Sequence, residues 1–157
     1  MILQTAINKA RSTGAYAELV TAIPYAEHLG VQMTQQADGF LFELPFRKAL
    51  VGNHLLPAIH GGVVAGFMEN SAMLHLLVSQ EQGRLPKTVD FSIDYLRSAG
   101  PKTTYARCDV TRQGRRVAHV SISCWQDNPR KPVAVARIHF ILEEVGELAD
   151  SSDASPL

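Results

Sequence analysis

A disulfide framework, a metal-ligand array, a long unbroken apolar run and a surplus of one charge are all missing from this chain of 157 residues. Each absence narrows what the chain can be. The two cysteines, Cys108 and Cys124, are too few and wrongly spaced for a disulfide scaffold or a metal site. They fall in strand-like segments and are expected to be buried, reduced thiols. Glu69, Asn70 and His75 interrupt the longest apolar run, which falls short of the ~20 residues that span a bilayer, so no membrane partner is expected. The N-terminal stretch MILQTAINKARSTGAY has neither a continuous apolar region nor a cleavage pattern, so it does not read as a secretory signal, and a cytoplasmic location is expected. Lys and Arg number 15, as do Asp and Glu, but five of the acids lie from Glu143 onward, where there is no Lys or Arg. Residues 1–142 therefore hold 15 basic against 10 acidic residues, a net of +5. That is too modest for a nucleic-acid binder. It suits a small polyanionic ligand.

What is present describes one ordinary folded domain. Apolar residues make up 46% and charged residues 19%. At this length roughly 70% of the unfolded chain's surface is buried on folding, enough for a core without staples. Residues 3–28 read as a helical segment broken at Ser12-Thr13-Gly14, with Pro24 opening one more turn. Val31–Met33 and Gly39–Pro45 read as two short strands, and 46–60 as irregular. Gly61-Gly62 then opens a helix over about 61–78 that is apolar nearly all round, the mark of a helix enclosed by the fold. From Thr88 the period changes to two, with Val89, Phe91, Ile93 and Tyr95 on one face. Thr103–Arg112 and Arg116–Gln126 pair around Gln113-Gly114-Arg115, and Val133–Leu142 is the last strand. Residues 1–142 are expected to form the single domain and 143–157 an acidic, disordered tail. The order predicts an α+β fold, an antiparallel sheet curled around one helix, with an open edge or face that invites a second copy.

One residue in the apolar helix is out of place. Glu69 lies among Ala65, Gly66, Ala72 and Met73 at i±3 and i±4, and an enclosed carboxylate needs a partner or a function. Gly61 and Gly62 stand where a helix offers unpaired N–H groups and partial positive charge, suited to a carbonyl oxygen that becomes an oxyanion. Glu69 lies ~10–12 Å further along the same helix, so both reach one carbonyl only if a substrate or second subunit bridges them. His54 and His60 flank the preceding loop without forming a metal pattern with Glu69. His28, His75, His119 and His139 are scattered and read as structural. Thr88 offers a hydroxyl at a strand start. Arg97, Lys102, Arg112, Arg115, Arg116, Arg130 and Lys131 occupy turns, where some suit phosphates.

The string HGGVVAGFMENSA, residues 60–72, resembles the start of the central helix in hotdog-fold acyl-CoA thioesterases, most closely the phenylacetate-degradation and 4-hydroxybenzoyl-CoA group. TVDFSIDYLRSA (88–99), the Arg112–Arg115 turn and VAVARIHFIL (133–142) are similar to that group's later strands in order and spacing. The resemblance implies a hotdog fold that dimerises and in some members forms homotetramers. It also implies hydrolysis of an acyl-CoA thioester, with no cofactor or metal beyond the substrate's own coenzyme A. It makes Glu69 the base for water or the nucleophile, and Gly61 the N–H that polarises the carbonyl, the two coming from opposite subunits. Thr88 matches a hydroxyl that places the water. His54 stands where the family carries Asn or Gln, with Asn53 one residue earlier. His60, Gly62, Arg97 and Arg115 are the substrate-binding candidates. Two alternatives stay open: a hotdog hydroxyacyl dehydratase or hydratase pairing His54 with Glu69, and a non-catalytic acyl-CoA-binding hotdog protein.

Overall fold

The computed structural model describes residues 2–80 and 83–144; the predicted tail lies outside them from residue 145 on. The N-terminal segment forms three helices: α1 (Ile2–Thr13), α2 (Tyr16–Thr21) and α3 (Pro24–Leu29). Gly14, at φ +74°, ends α1 at the predicted break. Pro24 opens α3, and Gly30 closes it in the left-handed region with its N–H shared between the Ala26 and Glu27 carbonyls.

A hairpin follows, β1 (Gln32–Gln36) and β2 (Gly39–Leu44), and then a segment that periodicity could not resolve. Residues 46–60 were expected to be irregular. They hold a 3-10 turn at Lys48–Leu50 and a two-stranded ribbon, β3 (Val51–Asn53) against β4 (Ala58–Ile59). The ribbon fixes the chain just before the long helix α4 (Gly61–Ser79). Four strands complete the chain: β5 (Leu85–Tyr95), β6 (Thr104–Gln113), β7 (Val117–Trp125) and β8 (Ala134–Glu143).

The main sheet is antiparallel throughout, in the order β1-β2-β6-β7-β8-β5. Consecutive strands are neighbours except at one place. Strand β5 crosses to the far edge and pairs with β8, leaving its other side unpaired among the described residues. The expected alternation in β5 is also interrupted. Its register against β8 shifts between Thr88 and Asp90, so Thr88 faces the buried Phe140 while Val89 becomes the extra residue, 52% exposed. A strict alternation would have put Thr88 on the outer face with Asp90 and Ser92. The bulge turns it inward.

Helix α4 packs against β2 and β5 through β8, with α1 and α3 on it as well. By length and composition it is a helix that could cross a membrane, but more than half of it is buried in the fold. Phe67, Met68, Leu74 and Leu76 are fully buried beside Phe42, Ile138 and Phe140. Its two buried neutral polar residues, Asn70 and Ser71, satisfy themselves within the helix: Asn70 Nδ2 donates to the Gly66 carbonyl at 2.8 Å and Ser71 Oγ to that of Phe67 at 2.7 Å. The result is the α+β hotdog arrangement, one helix wrapped by one antiparallel sheet. Cys108 and Cys124 are free, as expected, and burial pushes both thiols up, Cys124 to about 12.

Candidate active site

The start of α4 is built by two residues, His60 and Tyr95, acting on one peptide unit. His60 is the N-cap, and its Nδ1 accepts the Gly62 N–H at 2.9 Å. Its backbone carbonyl takes the Val63 N–H at 2.9 Å and the Val64 N–H at 3.1 Å. The Tyr95 hydroxyl, from the end of β5, donates to the Gly61 carbonyl at 2.7 Å. In the first turn, then, Gly62, Val63 and Val64 have spent their donors. The Gly61 N–H has no partner among the described residues. An unsatisfied amide N–H at a helix N-terminus is a ready donor to a polarised carbonyl oxygen.

The close fit explains the residue types. A side chain on Gly52 would run into the His60 ring, with Cδ2 only 2.7 Å from an ideal Cβ. A Cβ on Gly61 would meet the Tyr95 ring at 3.3 Å, and one on Gly62 the His60 Nδ1 at 3.0 Å. Glycine at 61 and 62 keeps the backbone accessible and the two rings in place. Gly61, Tyr95 and Arg97 line one 390 Å³ cavity with Ala58, Ile59 and Val64. Arg97 is held at its rim by a 2.7 Å bond to the Pro132 carbonyl.

The other predicted residues are placed less closely. Glu69 is half-buried, two turns along α4, and no described residue bonds or pairs with its carboxylate. In one chain it stands ~12 Å from Gly61 by the helical rise, so the two do not meet on one carbonyl. Asn53 spends its Oδ1 on the Leu55 N–H at 2.9 Å, an Asx turn that shapes the β3–β4 loop. His54 is exposed in that loop and engages no described residue. Thr88 is half-buried on the helix side of β5. Arg115 lies at the opposite end of α4, beside Ser79, Gln80 and Arg84 in a separate cavity, ~27 Å of helix away from Gly61. The structure does not bring it to the Gly61 cavity within one chain.

Sequence reasoning finds no role at the helix start for two contributors: Tyr95 falls on the apolar face of β5, and Gly52 lies in the segment read as irregular. Tyr95 bonds a residue 34 positions away, which no local pattern encodes. The sole hint was a polar-tipped aromatic ending an alternating strand.

Residues 56–133 match the thioesterase superfamily. A protein from Chromobacterium violaceum of known structure is 47% identical, with 90% of this chain and 98% of that one covered and a TM-score of 0.73. A phenylacetic acid degradation-related protein from Ralstonia eutropha JMP134 is 19% identical, covering 81% and 98% of the two chains, with a TM-score of 0.69. A Bacillus halodurans protein whose structure was determined with CoA is 18% identical over 90% and 91% of the chains, with a TM-score of 0.67. Among curated proteins none matches. With its hotdog fold and these matches, the chain belongs to the thioesterase superfamily, which supports a thioester hydrolase at family level.

Proposed function

We propose that the protein is an acyl-CoA thioesterase, releasing a free acid and coenzyme A. The observation that carries this reading is the single unspent donor of the first turn, the Gly61 N–H, in a cavity walled by Tyr95 and Arg97. The thioester carbonyl oxygen accepts from it, and the donor strengthens as charge develops on that oxygen. Glu69 supplies the second function, as base for the attacking water or as the nucleophile that forms an anhydride. Thr88 on the inner face of β5 helps place the water, and His54 or the Asn53 amide holds the carbonyl side of the substrate. His60 and Gly62 shape the site, and Arg97 and Arg115 are the candidates for the phosphates. The reaction draws on a carboxylate, a backbone N–H and water, and coenzyme A enters only as substrate.

The ~12 Å between Gly61 and Glu69 within one chain calls for the second function to come from another copy. A homodimer through β5 supplies that copy in this reading. Eleven residues of edge strand have one unpaired side, with Val89, Tyr95 and Leu96 about half exposed along it. Such an edge invites pairing. Two such dimers forming a tetramer, and a cytoplasmic location, belong to the same reading. The CoA in the Bacillus halodurans protein supports the substrate class.

The test is thiol release from short, medium, long and aryl acyl-CoAs. Release from at least one supports the reading. Hydration of an enoyl-CoA without thiol release points instead to a hydratase, and tight binding without turnover to a binding protein. Mixing inactive Glu69→Gln and Gly61-substituted subunits then tests the cross-chain site, since shared sites regain activity and single-chain sites do not.

A further inference from the structure

The first turn of α4 holds a relay that the proposed chemistry does not itself require. The Tyr95 O–H donates to the Gly61 carbonyl, and the N–H of that same peptide, carried by Gly62, donates to His60 Nδ1. The Gly61–Gly62 peptide is thus held at its oxygen from β5 and at its nitrogen from the N-cap. A bond into a carbonyl polarises the peptide and strengthens the bond its N–H makes, so the two contacts reinforce each other. Because Nδ1 accepts, the proton of the His60 ring is on Nε2. The Tyr95 ring also lies against Gly61 on the side a Cβ would occupy, at 3.3 Å. Two glycines in sequence otherwise make the most mobile helix start a chain can have. The relay removes that freedom at the residue whose N–H is left unspent.

We propose that Tyr95 is a positioning residue for the carbonyl site: its hydroxyl, bonded to the Gly61 carbonyl, holds the peptide that follows Gly61, while the His60 carbonyl, accepting from Val63 and Val64, holds the preceding peptide that carries the free Gly61 N–H, so the backbone angles of Gly61 and the direction of that N–H are fixed from both sides. Tyr95 acts through Gly61. The kinetic consequence rests on the acyl-CoA thioesterase reading, while the structural one does not.

The experiment compares the full-length wild type with Tyr95→Phe, which deletes only the hydroxyl. Amide hydrogen exchange at Gly62 is expected to rise about tenfold while the rest of α4 is unchanged, as for a locally loosened turn. With an acyl-CoA that the wild type hydrolyses, kcat falls about tenfold with KM within about twofold, since the lost alignment acts in the transition state. Unchanged exchange at Gly62 overturns the lock whatever the activity. Raised exchange with wild-type kcat overturns the positioning role. Absence of thiol release by the wild type overturns the thioesterase reading but leaves the exchange result to decide the lock. Gly61→Ala supplies the check on coupling: its kinetic loss and that of Tyr95→Phe are less than additive if both act on one peptide, and additive losses count against the proposal.

Discussion

The two ends of α4 are finished in opposite ways. At the C-terminus the chain closes what the helix leaves open. Arg11 of α1 reaches across to place Nε and Nη2 on the Leu77 carbonyl at 3.1 and 2.7 Å, and the Gln80 N–H returns to Leu76 at 3.0 Å. A cation on the last carbonyls also suits the negative end of the helix dipole. At the N-terminus His60 and Tyr95 secure the first turn with equal care and leave one donor, the Gly61 N–H, without a partner among the described residues. One end is stability. The other withholds a bond from the fold, and in the proposed reaction the substrate carbonyl takes it.

The variant expected to break this comparison hardest is Glu69→Gln. It should keep the fold and acyl-CoA binding while kcat falls about 100-fold or more, the scale of a lost general base. Wild-type turnover would remove Glu69 from the mechanism. Gly61→Ala comes next. It retains the N–H, but its Cβ presses on the Tyr95 ring at 3.3 Å, so kcat should fall about tenfold with little change in thermal stability. A larger stability loss than kinetic loss would mean that Gly61 is there for packing. At the other end, Arg11→Ala should cost about 1 kcal/mol in urea unfolding, with turnover per folded molecule unchanged. An activity loss there would show that the two ends are coupled.

The smallest effect is one of pH. His75, inside α4 and edge-on to Phe40 at 5.4 Å, is held below the usual histidine value of 6.5, chiefly by burial, with Asp109 pulling the other way. A depressed value means that the neutral ring is stabilised by folding. Its contribution is full above 6.5 and is lost as pH falls from there through the folded value. The melting temperature should therefore drop between about pH 7.5 and about pH 5 by less in His75→Met than in the wild type. Equal drops would assign the effect to other groups.

Much of this was legible in the sequence because it is local. The all-round apolar run with glycines at its head gave α4 to within a residue of its end, and period two gave the strands after it. Gly14 and Gly30 stopped helices where glycine is expected to stop them. Pairing across the chain is not local. The crossing of β5 to the edge beside β8 and the bulge that turns Thr88 inward depend on a partner some fifty residues away. The ribbon of β3 and β4 has strands of three and two residues, too short for any period to show. The site divides the same way. Gly61, Gly62 and Glu69 stood out as residue types at odds with their surroundings, whereas the hydroxyl from Tyr95 and the space Gly52 leaves for His60 are set by tertiary approach alone.

The most direct test of the account is thiol release from acyl-CoA by the wild type and Glu69→Gln, measured side by side at equal folded concentration. The account predicts release by the wild type and a loss of about 100-fold or more in the variant, with acyl-CoA binding retained. Equal rates in the two proteins, or no release by the wild type from any acyl-CoA, would contradict it.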